Sequence, residues 1–176
     1  MRSDIKSLIE KYAQVYEDFE VLQKSGILPN GDQKTGVIAE YYAKCYTDKT
    51  FKVESEYAKP GECFDLSYTK DKKKFKIQVK AVSVHSKTRI MAPLNLEEII
   101  DEKPFDFLYL ISLDKDFRPD GFYINSFDDI KQRLKAKNDG RKRIQGAAMR
   151  GDYKNGYWLF DFENNLASEL NKIINN

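Results

Sequence analysis

Residues 61–81 read GECFDLSYTKDKKKFKIQVKA, and this stretch indicates the fold more clearly than any other part of the chain. Two short segments of alternating apolar and polar residues flank the turn Lys70-Asp71-Lys72-Lys73, which predicts a β-hairpin. Because successive side chains of a strand point to opposite faces, the second strand has one apolar and one polar face. The apolar face carries Phe75, Ile77 and Val79, and the polar face carries Lys76, Gln78 and Lys80.

The polar face of this hairpin predicts a chemical site. If the hairpin closes around the middle of the lysine-rich turn, Asp65 lies opposite Lys80 and Ser67 lies opposite Gln78. This register would bring a carboxylate, an amide and an ammonium group together. A carboxylate that can hold a metal, beside a lysine that can hold a reacting oxygen, is suited to phosphodiester hydrolysis.

The spacing of these residues resembles the active-site pattern of the PD-(D/E)XK nuclease superfamily, to which restriction endonucleases, some homing endonucleases and junction resolvases belong. Asp65 is followed, after twelve residues, by Gln78-Val79-Lys80. Residues 31–40, GDQKTGVIAE, resemble the helix that supplies an extra acidic ligand in many members, here Glu40. The resemblance covers roughly residues 27–125. The chain departs from the pattern at Phe64, where the family name has proline, and at Gln78, where most members have Asp or Glu.

The resemblance implies the roles of the site residues. Mg²⁺, for which Mn²⁺ can substitute, would be held by the carboxylates of Asp65 and Glu40, the side-chain carbonyl of Gln78 and the backbone carbonyl of Val79. Lys80 would position the attacking water and stabilise developing charge. The expected catalytic residues are therefore Asp65, Gln78, Lys80 and Glu40.

The composition is that of an ordinary globular protein, with 41% hydrophobic and 33% charged residues among 176. This length favours a single domain, 1–176. No apolar run is long enough to span a membrane and the N-terminus lacks a signal peptide's apolar core, which predicts a cytoplasmic protein. Only one histidine is present and the two cysteines have no metal-binding spacing, so structural zinc is not expected.

The order of predicted elements is typical of an α/β (α+β) fold, a mixed central sheet flanked by helices with a restriction-endonuclease-like core. We divide the chain into an N-terminal helix (1–26), a catalytic core (31–125) and a basic C-terminal part (126–176). The predicted helices are 3–24, about 34–45, 95–101, 126–137 and a last one after Asn164 or Asn165. Beside the hairpin, whose second strand reaches about Val84, the predicted strands are 51–56, 105–113, 121–125 and 157–162.

The C-terminal part concentrates positive charge on a chain whose net charge is only +2. Nine lysines and arginines lie between Lys131 and Lys154, opposed by Asp139 and Asp152 alone. Such a stripe is either a solvated surface or a nucleic-acid footprint. If it is a footprint, the expected DNA-binding residues are Lys87 and Arg89 of a loop beside the site, together with Arg141, Lys142, Arg143, Gln145, Arg150 and Lys154.

We interpret the chain as a metal-dependent DNA endonuclease, of the kind of a small Type II restriction enzyme that cuts double-stranded DNA as a homodimer. A homing endonuclease or junction resolvase of the same superfamily is the nearest enzymatic alternative. A non-catalytic DNA-binding protein with a degenerate nuclease fold is an alternative of another class, and Gln78 favours it. A third alternative is an interaction module without a nucleic-acid role.

Overall fold

The computed structural model describes residues 3–85, 103–137 and 162–175, which form a five-stranded mixed sheet with helices. The strands lie in the order β1-β2-β3-β4-β5; β3 and β4 run parallel and the other neighbours antiparallel. The predicted fold class is thereby confirmed. The helices are α1 (Ser3–Lys24), α2 (Lys34–Phe51), α3 (Phe127–Lys137) and α4 (Ala167–Ile174), and the strands are β1 (Glu56–Tyr57), β2 (Leu66–Lys70), β3 (Lys73–Ser83), β4 (Phe107–Leu113) and β5 (Pro119–Ser126).

The core surrounds β4, which lies between β3 and β5. Its near-continuous apolar sequence predicts a strand covered on both faces, and Leu108 to Ile111 are each 1% exposed or less. On one face α2 packs against β3 and α4 packs against β5. The aromatic rings of Tyr46 in α2 and Phe122 in β5 meet edge to face at 4.8 Å.

Helix α2 is longer than the sequence pattern predicts. A helix ending near Cys45 and a strand over residues 51–56 were expected; the helix continues to Phe51, and only Glu56–Tyr57 are extended. Lys52 ends the helix in a left-handed conformation, with φ 55°. Phe51 stacks on Tyr68 of β2, with ring centroids 5.4 Å apart. This tertiary contact outweighs the preference of aromatic and β-branched residues for strands.

The buried side of α2 also differs from the expected one. The pattern predicts a stripe through Val37, Ile38, Tyr41, Tyr42 and Cys45, of which only Val37 is fully buried. The other buried side chains of α2 are those of Ala39, Ala43, Tyr46 and Thr47. Alanine allows the helix backbone to approach the sheet closely, so the contact follows side-chain size as well as hydrophobicity.

The hairpin forms, and its turn lies where it was expected, but the assumed register is wrong by two residues. Lys70 pairs with Lys73, so the loop consists of Asp71 and Lys72 alone, with φ 51° and 62°. Ser67 consequently pairs with Lys76 rather than Gln78. A shift of two residues keeps every side chain on its face, so the predicted alternation of β3 holds.

The later predicted elements that fall in the described part are present. Ser126 caps α3: its hydroxyl accepts the backbone N–H of Asp129 at 3.1 Å and donates to the Asp129 carboxylate at 2.6 Å. Asn165 accepts the backbone N–H groups of Ala167 and Phe122, each at 3.0 Å, which joins the start of α4 to β5. The predicted helix 95–101 and most of the predicted strand 157–162 lie outside the described residues. No helix in the described ranges is long and apolar enough to cross a membrane.

Candidate active site

Asp65 is held immediately before β2 by its backbone and its side chain. Its N–H donates to the carbonyl of Ile77 at 2.9 Å, and its carbonyl accepts the N–H of Ala58 at 2.8 Å. The carboxylate accepts two further hydrogen bonds from β3, one from the backbone N–H of Val79 at 2.6 Å and one from the Gln78 amide nitrogen. The observed register therefore places Asp65 beside Gln78 and Val79, and not directly opposite Lys80.

The Gln78 side chain lies at the point where two of the expected ligand oxygens converge. Its Nε2 contacts Asp65 Oδ2 and lies 3.3 Å from the backbone carbonyl oxygen of Val79. Within the described residues, no donor contacts the Oε1 atom of Gln78. The amide thus orients the aspartate with one end and keeps an acceptor available with the other.

Glu40 comes to the site from α2, which packs against β3. The hydroxyls of Thr35 and Ser83, 3.5 Å apart, join the start of the helix to the end of the strand. Burial raises the pKa of Glu40 to about 8; the charge of Asp65 raises it too, and that of Lys80 opposes the rise. Glu40, Asp65 and Lys80 are therefore near enough for their charges to influence one another.

The electrostatic balance of this site favours binding a cation. Burial raises the pKa of Asp65, while its hydrogen bond from Val79 and the charge of Lys80 act in the opposite direction. Asp65, Glu40 and Lys80 are all half-buried, so two acidic groups and one ammonium group lie in poorly solvated surroundings. A carboxyl group in such a place gains free energy from any cation that replaces its lost hydration.

The donor set fits a hard divalent cation. The two carboxylates and the Val79 carbonyl supply the oxygen that Mg²⁺ and Mn²⁺ prefer. Gln78 would add its Oε1, although its Nε2 is the atom that faces Asp65 and the Val79 carbonyl in this structure. Nowhere in the described part of the chain do three or more His, Cys, Asp or Glu side chains form a group that could hold a metal. A metal here would therefore depend on the two neutral oxygens, and on water or phosphate for its remaining positions.

Two contributions to the site were not predicted from the sequence. The backbone N–H of Val79 binds the Asp65 carboxylate, whereas only the carbonyl of this residue was expected to act. The Gln78 amide also donates to Asp65, whereas a ligand role alone was expected. A backbone donor leaves no trace in the residue pattern, but an amide in place of a carboxylate is a signal that a donor is needed there.

The eight residues expected to bind DNA lie outside the described residues, and the structure neither joins them to this site nor separates them from it. They are Lys87, Arg89, Arg141, Lys142, Arg143, Gln145, Arg150 and Lys154.

Comparisons with known proteins show a structural likeness without a sequence match. The sequence matches no protein-family model and no curated protein. Among solved structures, the chain is similar to a bacterial homing endonuclease, at 15% sequence identity and a TM-score of 0.45. The similarity covers 80% of this chain and 93% of that protein.

Proposed function

We propose that this protein is a metal-dependent endonuclease that hydrolyses phosphodiester bonds in double-stranded DNA. The observation that supports the proposal is the contact of the Asp65 carboxylate with Gln78 and Val79 of β3, near the charges of Lys80 on the same strand and Glu40 on α2. Phosphodiester hydrolysis needs a positioned water molecule and a positive field around the phosphate, and this set of side chains is suited to supply both.

Each side chain of the site would have its own role in hydrolysis. The Asp65 carboxylate is fixed by two hydrogen-bond donors, so it would keep one position relative to the scissile phosphate. Lys80, attracted by two neighbouring acidic groups, is suited to orient the attacking water and to stabilise charge on the phosphate oxygens. Glu40, with a pKa of about 8, is able to take up a proton near neutral pH when no cation is bound.

The cofactor is Mg²⁺, with Mn²⁺ as a substitute. Asp65, Glu40, Gln78 Oε1 and the Val79 carbonyl would hold it. When bound, the cation lowers the pKa of coordinated water and neutralises charge on the phosphate.

Within this reaction class we favour a cytoplasmic restriction enzyme of Type II that acts as a homodimer on a specific two-fold site. Its phosphate and base contacts would come from the eight basic and amide residues named above. A homing or junction-resolving nuclease would use the same catalytic groups on a different DNA substrate.

A degenerate, DNA-binding protein without catalysis is the second candidate. The observation that favours it is the Gln78 amide, which leaves the site with two carboxylates. A neutral oxygen binds a hard cation more weakly than a carboxylate does. This candidate predicts DNA affinity that is independent of Mg²⁺ and no cleavage with any metal.

The deciding experiment is cleavage of a sequence-diverse DNA mixture with Mg²⁺ and with Mn²⁺, followed by sequencing of the fragment ends. Asp65→Asn and Lys80→Met should each lower the rate by roughly 10²-fold or more, because each removes a charge that acts on the reacting phosphate. Asp71→Asn and Lys74→Met make the same changes at exposed positions of the same hairpin, and these controls should cleave normally.

The possible outcomes separate the candidates. Discrete fragments that are lost only in the two site variants support a specific nuclease. Intact DNA that is nevertheless retarded in a gel shift supports the degenerate DNA-binding protein. Neither cleavage nor a salt-sensitive gel shift would reject both and leave an interaction module.

A further inference from the structure

Helix α1 exposes its apolar side chains to solvent. Leu8 and Tyr12 are each 65% exposed and Ile9 is 56% exposed. Among the described helices and strands, none packs extensively against α1. Its C-terminal end is fixed by Gln23, whose Nε2 donates to the carbonyls at positions 29 and 31 at 2.8 and 3.0 Å. A contiguous apolar face of this size on a soluble protein usually contacts a partner.

Six apolar residues of α1 follow a seven-residue repeat. They occupy two positions in each repeat, separated alternately by three and four residues, as in the seam of a coiled coil. The first position holds Ile5, Tyr12 and Phe19, and the second holds Leu8, Val15 and Leu22. Three complete repeats fill the 22 residues of the helix, so the seam runs along its whole length.

The seam is complementary to itself when two copies of α1 run antiparallel about a two-fold axis between Ala13 and Gln14. Every first-position residue then faces a second-position residue of the second copy. The facing pairs are Ile5 with Leu22, Leu8 with Phe19, and Tyr12 with Val15. All six seam residues of each helix are used and none is left beyond the end of the partner, although Phe19 and Leu22 are already half-buried in the single chain. The exposed side chains of Ile9 and Tyr16 lie beside the seam.

The charges beside the seam select this direction. Lys11 and Asp18 precede Tyr12 and Phe19 by one position and lie on the same side of the seam. In the antiparallel pair Lys11 faces Asp18 of the second copy, which gives two ion pairs. In a parallel pair in register the same charges would face Tyr16 and Gln23, which are neutral.

The remaining ion pairs of the helix leave these two charges available. Lys6 pairs with Glu10 at 3.5 Å, and Lys24 pairs with Glu20 at 3.0 Å, each within α1. Asp18 accepts only a hydrogen bond from Gln14 among the described residues, at 3.1 Å.

We propose that α1 is a dimerisation helix, which pairs antiparallel with α1 of a second copy of this chain. The pairing rests on the sequence and exposure of α1 alone and does not need nuclease activity. One pair of helices buries less area than a standard protein interface, so we expect a dissociation constant on the order of micromolar.

Sedimentation velocity on the full chain tests the pairing. The chain of 20.5 kDa should sediment as a dimer of twice that mass at tens of micromolar and dissociate on dilution. Reductant must be present, because Cys63 is an exposed free thiol. A wild type that stays monomeric throughout this range would overturn the proposal and assign the apolar face to a different occupant.

Charge placed in the seam should separate the two copies. Leu8→Glu with Val15→Glu should weaken dimerisation by roughly 100-fold or more, because four carboxylates would enter the apolar seam. Ala13→Glu with Val21→Glu adds the same charges at exposed positions outside the seam and should leave the dimer intact. A dimer that survives the seam variant equally well would overturn the proposal by placing the interface elsewhere.

Charge reversal tests the direction and does not threaten the fold. Lys11→Glu alone and Asp18→Lys alone each place like charges opposite one another and should weaken the dimer about tenfold. The double variant restores opposite charges and should recover most of the affinity. Equal affinities for all three variants would reject the antiparallel arrangement. Cleavage activity does not enter these measurements, so the dimer and the proposed nuclease can fail separately.

Discussion

The β2–β3 hairpin and helix α1 depart from the usual distribution of side chains in opposite ways. Beside the hairpin, Asp65, Lys80 and Glu40 are ionisable groups held half-buried. In α1, large apolar groups such as Leu8 and Tyr12 lie in solvent. Each arrangement is unfavourable for the isolated chain. The first arrangement would be relieved by a charged ligand and the second by an apolar surface, which is what the two proposals above supply.

Substitutions of apolar residues in the two regions should differ most in their effect on the free energy of unfolding. Ile77 of β3 is fully buried, so Ile77→Ala should lower the free energy of unfolding by about 2–5 kcal/mol. Leu8→Ala in α1 should change it by less than about 0.5 kcal/mol, because Leu8 is mostly exposed. Both values come from urea denaturation, at a protein concentration low enough for monomers. A large loss in Leu8→Ala there would show that α1 packs on its own chain.

The next prediction distinguishes two roles of the Gln78 amide, as a metal ligand and as a hydrogen-bond donor that orients Asp65. Gln78→Glu removes the N–H that binds Asp65 and puts a third negative charge beside two acidic groups whose pKa values burial already raises. We therefore expect cleavage with Mg²⁺ to fall by roughly 30–100-fold. Initial rates on a single-site substrate measure the effect.

A second variant at this position separates charge from hydrogen bonding. Gln78→Met keeps the length of the side chain but lacks both the donor and the amide oxygen, and its activity should fall without the added repulsion. Cleavage that rises, or first appears, in Gln78→Glu would contradict the orienting role and favour a degenerate site that lacks a carboxylate.

The raised pKa of Glu40 predicts a pH dependence of stability in the metal-free protein. The folded state holds this proton more tightly than the unfolded state, whose pKa is near the ordinary 4.5, while burial raises the folded value to about 8. The stabilisation is therefore complete below about pH 4.5 and is lost as the pH rises towards 8. Asp65, whose pKa is also raised, contributes in the same direction.

The measurement is the urea midpoint between pH 5 and 8 with chelator, compared between wild type and Glu40→Gln. The variant cannot ionise at this position, so its midpoint should decline less over the interval. Glu17→Gln on the exposed surface of α1 is the matched control and should follow the wild type. Parallel curves for wild type and Glu40→Gln would show that Glu40 ionises normally in the fold.

Part of the fold follows from the sequence because local pattern and tertiary packing agree there. The alternation of β3, the apolar run of β4 and the helix predicted over 126–137 each agree with what the structure contains. The end of α2 could not be predicted, because its last turn depends on Phe51 stacking against Tyr68 of a strand that comes later in the chain.

The site shows the same division. The spacing of Asp65, Gln78 and Lys80 could be read from the sequence because a hairpin brings residues of known separation together. The register could not, since it depends on whether Asp71 and Lys72 adopt left-handed conformations, and neither is the glycine or asparagine that signals them. The donor role of Gln78 depends on that register and was missed with it.

Substitutions in the turn between β2 and β3 should change the free energy of unfolding only slightly. Lys72 has φ 62°, a conformation that costs a residue with a side chain more than it costs glycine. Lys72→Gly should therefore raise the free energy of unfolding by roughly 0.5–1 kcal/mol. Lys70→Gly, in the neighbouring strand, should lower it, because glycine there adds chain entropy to the unfolded state without relieving strain. Equal losses in both variants, by urea denaturation, would show that the turn does not strain the hairpin holding Asp65 against β3.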